Sequence, residues 1–123
     1  MMTRLSLVRA GDGYIIRPTG RQRSLLGSVL LFMRDRREPD RALFTWVGCE
    51  RARLTEFHEQ IKSGDEVPFS IKDLHVIHAA LLSVCNLFSS EEDFYIKIGF
   101  FRENVVALAN GLIKAVGDAE AGP

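Results

Sequence analysis

The chain has 123 residues, 46% hydrophobic and 26% charged, with two cysteines and a formal net charge of zero. That length suits one domain with one core, and the composition excludes a disordered, fibrous or disulfide-rich protein. The zero conceals an asymmetry, because residues 1–53 hold eleven arginines, no lysine and five acids, whereas residues 54–123 hold five basic residues and eleven acids. Halves of opposite charge packed in one domain neutralise each other; a basic face for nucleic acid or an acidic partner is the competing reading.

In chain order, Leu5–Val8 and Tyr14–Arg17 read as short strands separated by Ala-Gly-Asp-Gly, the composition of a hairpin turn. Pro18–Arg23 is a polar connection. Ser28–Met33, entered at Gly27, contains a continuous Val-Leu-Leu-Phe-Met run that suits a strand covered on both faces. Arg34–Arg41 (RDRREPDR) is then a charged hairpin tip, and Ala42–Val47 (ALFTWV) a second strong strand with Ala42, Phe44 and Trp46 on one face. Leu54, Phe57 and Ile61 give a helical stripe from about Arg51 to Lys62, ended at Ser63-Gly64, where glycine tolerates a left-handed cap. Val67–Ser70 is a short extended segment that Pro68 confines to an edge.

The centre of the pattern is FSIKDLHVIHAALLSVCNLF, Phe69–Phe88, with Leu74, Ile77, Leu81, Val84 and Phe88 on one face and further apolar residues around it. A helix apolar nearly all round is buried. Ser70 is its N-cap, Asp73 completes a weak capping box, and Phe69 with Leu74 is placed to form a hydrophobic staple. The helix covers about residues 71–88. After a polar break at Ser89–Asp93, Phe94–Ile98 alternates as a strand and equally places Phe94, Ile98 and Phe101 on one helical face, so both assignments stay open. Val105, Leu108, Leu112 and Ala115 or Val116 predict a last helix over about 101–116. The expected fold is α+β: an N-terminal antiparallel sheet of three to four strands covered on one face by two to three helices, one domain over residues 1–117, and a disordered tail over 118–123.

The apolar run Val29–Met33 is far short of the ~20 residues that span a bilayer, and no charged-then-apolar leader precedes a small-residue cleavage site. A cytoplasmic protein with reduced Cys49 and Cys85 is expected. His75 and His78 share a helical side, but Cys85 lies seven residues beyond His78, roughly 10 Å along a helix, too far for one compact metal site. Cys49, before a predicted helix, is a conceivable nucleophile, with His58 or His75 as a base only through tertiary folding; a packed thiol is the simpler reading. Glu91, Glu92 and Asp93 are consecutive and do not converge, Glu56 and Glu59 lack neighbouring ligands, and Gly11-Asp12-Gly13 is no phosphate loop. No catalytic residue, cofactor or metal ligand is therefore assigned. The partner-binding residues expected are Arg34, Arg36, Arg37 and Arg41, joined by Arg17, Arg21 and Arg23, because guanidinium forks suit carboxylates and phosphates. The interspersed Asp35, Glu38 and Asp40 work against this by pairing locally.

In the second half, DLHVIHAALLSVCN, FYIKIG and RENVVALANGL resemble small uncharacterised bacterial domains with an AL-x-x-VCN-like helix, an aromatic-x-x-x-I-G segment and a final helix. Some proteins of that look are associated with toxin–immunity systems. The resemblance covers about residues 67–116 on mostly core positions, among them Ala80, Leu81, Val84, Phe94, Ile98, Gly99 and Leu108, and it implies a stoichiometric binding protein and carries over no catalytic residue. The expected function is a non-enzymatic, cytoplasmic bacterial protein that binds another protein as an immunity-type or regulatory partner. A nucleic-acid-binding protein using residues 34–41 is the alternative, an enzyme or metal site at Cys49 or His75 and His78 a third, and self-association as a homodimer is compatible with the first.

Overall fold

The computed structural model describes residues 4–122, and within them the chain forms an α+β fold with an antiparallel sheet near its N-terminus. β1 (Ser6–Ala10) and β2 (Gly13–Arg17) make the expected hairpin, with Ala10 opposite Gly13. Of the two turn residues only Gly11 has a positive φ, 59°, as in a type II′ turn with glycine first. The third strand, β3 (Val67–Phe69), pairs with β2 as an edge, which is where Pro68 fits. A Cβ at Gly13 would stand 2.7 Å from the Phe69 carbonyl oxygen, so glycine is what lets β2 and the end of β3 meet.

Two segments read as strands are helices. α1 (Gly20–Arg34) takes in Ser28–Met33, and its buried Gln22, Leu25, Leu26, Val29, Leu30 and Met33 follow a helical period. Its start is a complete capping box: the Gln22 backbone N–H donates to Thr19 Oγ1 at 3.1 Å, and the Thr19 N–H donates to Gln22 Oε1 at 2.9 Å. The apolar run at 29–33 looked strand-like because it is covered on nearly every side, a property of buried helices as much as of buried strands. α2 (Asp40–Val47) replaces the strand expected at 42–47; it buries Leu43 and Val47, four apart, and leaves Phe44 and Trp46 exposed, so their alternation had no structural meaning. Gly48, at φ 78°, ends it. Residues 34–41 are therefore no hairpin tip: Arg34 ends α1, 35–39 connect the two helices, and Asp40 and Arg41 begin α2.

α3 (Arg51–Ser63) runs as expected, although Gly64 after it is extended (φ −142°) and not left-handed. α4 (Ile71–Cys85) starts at Ser70 with the expected reciprocal cap, Asp73 N–H to Ser70 Oγ at 3.1 Å and Ser70 N–H to Asp73 Oδ2 at 3.0 Å. It stops at Cys85, short of Phe88, whose ring leaves the helix to pack on Phe32 and Phe94 at 5.0 and 5.3 Å between centroids. Phe94–Ile98 resolves as helix within α5 (Glu91–Ile98), with Phe94 and Ile98 buried one turn apart. α6 (Arg102–Ala121) buries the predicted Val105, Leu108, Leu112 and Ala115 and continues through Gly117 to Ala121, where a disordered tail was expected; Pro123 lies outside the described residues. Six helices among the described residues, against the two to three expected, pack with one face of the sheet around a single core.

Candidate interaction surface

Most of the arginines are committed to the fold. The last carbonyls of a helix have no partner within it, and three arginines fill that role here. Arg51 donates to the carbonyls of Arg34, Arg36 (2.8 Å) and Glu38 (2.8 Å) and to the Asp40 carboxylate at 3.0 Å, closing the end of α1 and the connection after it. Arg23 donates to Ile61 O at 2.6 Å and to Gly64 O at the end of α3. Arg102 donates to Cys85 O at 3.0 Å and to Phe88 O after α4, pairs with Glu91 at 3.1 Å, and lies 5.2 Å from the Phe94 ring centroid. Others join the two halves: Arg9 to Glu120 at 2.6 Å, Arg17 to Glu66 at 3.1 Å, Arg53 to Asp73 at 3.1 Å, and Arg4 to Asp118. The opposite charges of the halves thus meet in ion pairs between them.

The four arginines expected to bind a partner divide. Arg34 bonds to Asp35 at 2.9 Å, and Arg36 pairs with Glu38, whose carboxyl is held below the usual range first by that hydrogen bond. Arg37 and Arg41 are exposed and have no ion pair among the described residues. Arg41 borders a hollow with Asp40, Phe44, Thr45 and Glu50.

Cys49 and Cys85 are free thiols. Cys49 is buried in the α2–α3 link, and burial pushes it up to about 11 against the weaker opposing pull of Arg53. At neutral pH it is a thiol, not a nucleophilic thiolate. Burial likewise raises Cys85, whose Sγ lies 3.4 Å from Leu81 O. Among the described residues no three His, Cys, Asp or Glu side chains are grouped to hold a metal ion.

His75 and His78 meet something else. Together with Ile71 and Leu74 of α4 and Leu112, Ile113 and Val116 of α6 they line a groove of about 230 Å³ on the outside of the helix pair. Its rims are exposed aliphatic side chains, Ile71 at 52% and Ile113 at 58%, and Leu82 and Val106 continue the exposed apolar residues along the same two helices. Burial against this wall, and then the neighbouring His75, hold His78 below its ordinary 6.5, so at neutral pH the groove is lined by an uncharged imidazole. The sequence showed the apolar residues of α4 but not which would stay uncovered. The spacing Ile71, His75, His78, Leu82 was another helical stripe, and exposure of that stripe could be known only from where α6 packs.

Comparisons of the chain with protein-family models, with curated proteins and with solved structures find no match. No helix among the described residues is long and apolar enough to cross a membrane.

Proposed function

We propose that this protein works by binding another protein, with an apolar helix of the partner seated in the α4–α6 groove. The observation that carries the reading is the uncovered aliphatic face of two adjacent helices, with Ile71 and Ile113 each more than half exposed. Grooves between helices receive the apolar face of an amphipathic helix, and contiguous exposed apolar surface marks interaction sites. The groove falls wholly within residues 71–116, inside the stretch that resembles small uncharacterised bacterial domains, some of them associated with toxin–immunity systems, which supports an immunity-type or regulatory partner protein. Two unpaired cysteines support a reducing compartment such as the cytoplasm.

The test is parallel capture from nuclease-treated source lysate with the wild-type chain and with Ile71→Asp/Ile113→Asp, read by mass spectrometry and sizing. A stoichiometric protein held by the wild type and lost by the variant supports the reading; equal capture by both, or none, overturns it. A second copy of the chain as the sole occupant would appear as a dimer that the variant abolishes.

The alternative is nucleic-acid binding, favoured by exposed Arg37 and Arg41, which have no ion pair among the described residues, with Arg41 bordering the same hollow as exposed Phe44. It predicts affinity that falls steeply with salt, with a slope flattened by Arg37→Ala/Arg41→Ala. Absent or salt-independent binding would remove it.

A further inference from the structure

α1 and α3 lie side by side with an open cleft of about 370 Å³ between them. Gly27 faces His58 across it. A Cβ there would stand 3.8 Å from Cδ2 and Nε2 of His58, an ordinary van der Waals distance, so this edge of the imidazole faces the backbone of α1 across the cleft. Ser24 and Ser28, one turn apart on α1, line the same cleft, and neither hydroxyl has a hydrogen-bond partner among the described residues. His58 Nδ1 is buried without a hydrogen-bond partner; the Glu59 carboxylate stands 3.8 Å away, beyond hydrogen-bond distance. Nδ1 is shut off from solvent; the nitrogen on the cleft side, beside Gly27, is Nε2, which has no hydrogen-bond partner among the described residues.

Lys62, exposed and without an ion pair among the described residues, stands at the cleft with Arg23. Arg23 uses one guanidinium nitrogen for the Ile61 and Gly64 carbonyls, and the other is 3.6 Å from Asp65, a fully exposed carboxylate. A further hollow, lined by Gly20, Ser63 and Gly64, shares Arg23 and Lys62 with the first and leads to the start of α1, whose first turn carries no acid. The positive end of a 15-residue helix adds to the two cations there.

We propose that the α1–α3 cleft binds a phosphoryl group, contacted by Lys62, Arg23, the hydroxyls of Ser24 and Ser28, and His58. Two cations, two hydroxyls and an imidazole surround one space, and a tetrahedral phosphoryl group has acceptor oxygens directed to several sides, whereas a planar carboxylate does not. The apolar part of the cleft, at Leu31 and Ile61, suits the organic body of a phosphate monoester, and pockets of this size hold small ligands. The site is separate from the α4–α6 groove and is tested independently of it.

The experiment is an NMR titration of the ¹⁵N-labelled full chain with inorganic phosphate, with phenyl phosphate, and with sodium chloride at matched ionic strength. Saturable shifts centred on Ser24, Gly27, Ser28 and His58 are expected with both phosphates and not with chloride. Tighter binding of phenyl phosphate assigns the cleft to a monoester, and equal binding assigns it to the free anion. Lys62→Ala, at an exposed position, should weaken either by roughly tenfold while Tm stays unchanged, and Ile113→Asp should bind as the wild type does. Shifts that fail to saturate, that chloride reproduces, or that Lys62→Ala leaves alone would overturn the proposal.

Discussion

The connection between α1 and α2 and the outer face of α4 and α6 present opposite appearances and have opposite availabilities. The connection is the most charged stretch of the chain, yet Arg34 and Arg36 are held by neighbouring acids and the backbone of the loop is wrapped around Arg51. The α4–α6 face has the sequence of a core, yet it leaves Ile71, Leu82, Val106 and Ile113 uncovered. What marks a candidate surface is therefore the group left without an internal partner, and neither charge nor hydrophobicity along the chain reports that directly.

Four experiments probe this contrast. The largest effect is expected at Arg51, where alanine leaves three loop carbonyls and Asp40 without their donor; a loss of roughly 3 kcal/mol in urea unfolding is expected. A loss below about 0.5 kcal/mol, the range of ordinary surface changes, would mean that the connection does not depend on Arg51. Next is Ile113→Asp. Its position is exposed, so unfolding free energy should move by no more than about 0.5 kcal/mol, while partner affinity measured by calorimetry should fall by about 2 kcal/mol or more if the groove is the centre of the interface.

Third comes pH. Because burial and His75 lower His78 in the folded protein, the unfolded chain takes up its proton first as pH falls through 6.5. That contribution costs nothing above 6.5 and reduces stability below it. Urea melts of wild type and His78→Gln between pH 5 and 8, a range set by histidine titration, should converge at the alkaline end and show a shallower acid decline for the variant; parallel curves would remove the link between His78 and its apolar wall. The smallest effect is expected from Arg37→Ala/Arg41→Ala, which should change stability by less than about 0.5 kcal/mol and leave protein-partner binding intact. A loss of binding there would move the interface to the connection.

Legibility in the sequence followed how local each cause was. The hairpin, the Ser70 cap of α4, the stripe of α3 and the buried residues of α6 could be read because turn glycines, capping side chains and helical periods act within a few residues. α1 was misread although Thr19 and Gln22 carried its capping box in plain sight, because the dense apolar run at 29–33 outweighed a start signal ten residues earlier. In α2, Pro39 and Asp40 at the start and Gly48 at the end were the better guides, and Phe44 and Trp46 the misleading ones. The helix-ending roles of Arg23, Arg51 and Arg102 could not be read at all, since each acts on carbonyls between 13 and 41 residues away. His58 was weighed only as a base for Cys49, because its place in the α1–α3 cleft depends on how two helices far apart in the chain pack.

Arg102 has one more bearing on the groove. As the first residue of α6 it holds the last carbonyl of α4, while at the other end Glu120 of α6 accepts from Arg9 and Tyr14 of the hairpin, and Asp73 at the start of α4 is tied to Arg53. The two walls are pinned near both ends, like a slot milled into a block. A partner entering it has little wall motion to freeze, so ordering falls on the incoming helix alone, and binding strength should respond more to how helical that segment already is in solution than to changes that stiffen this protein further.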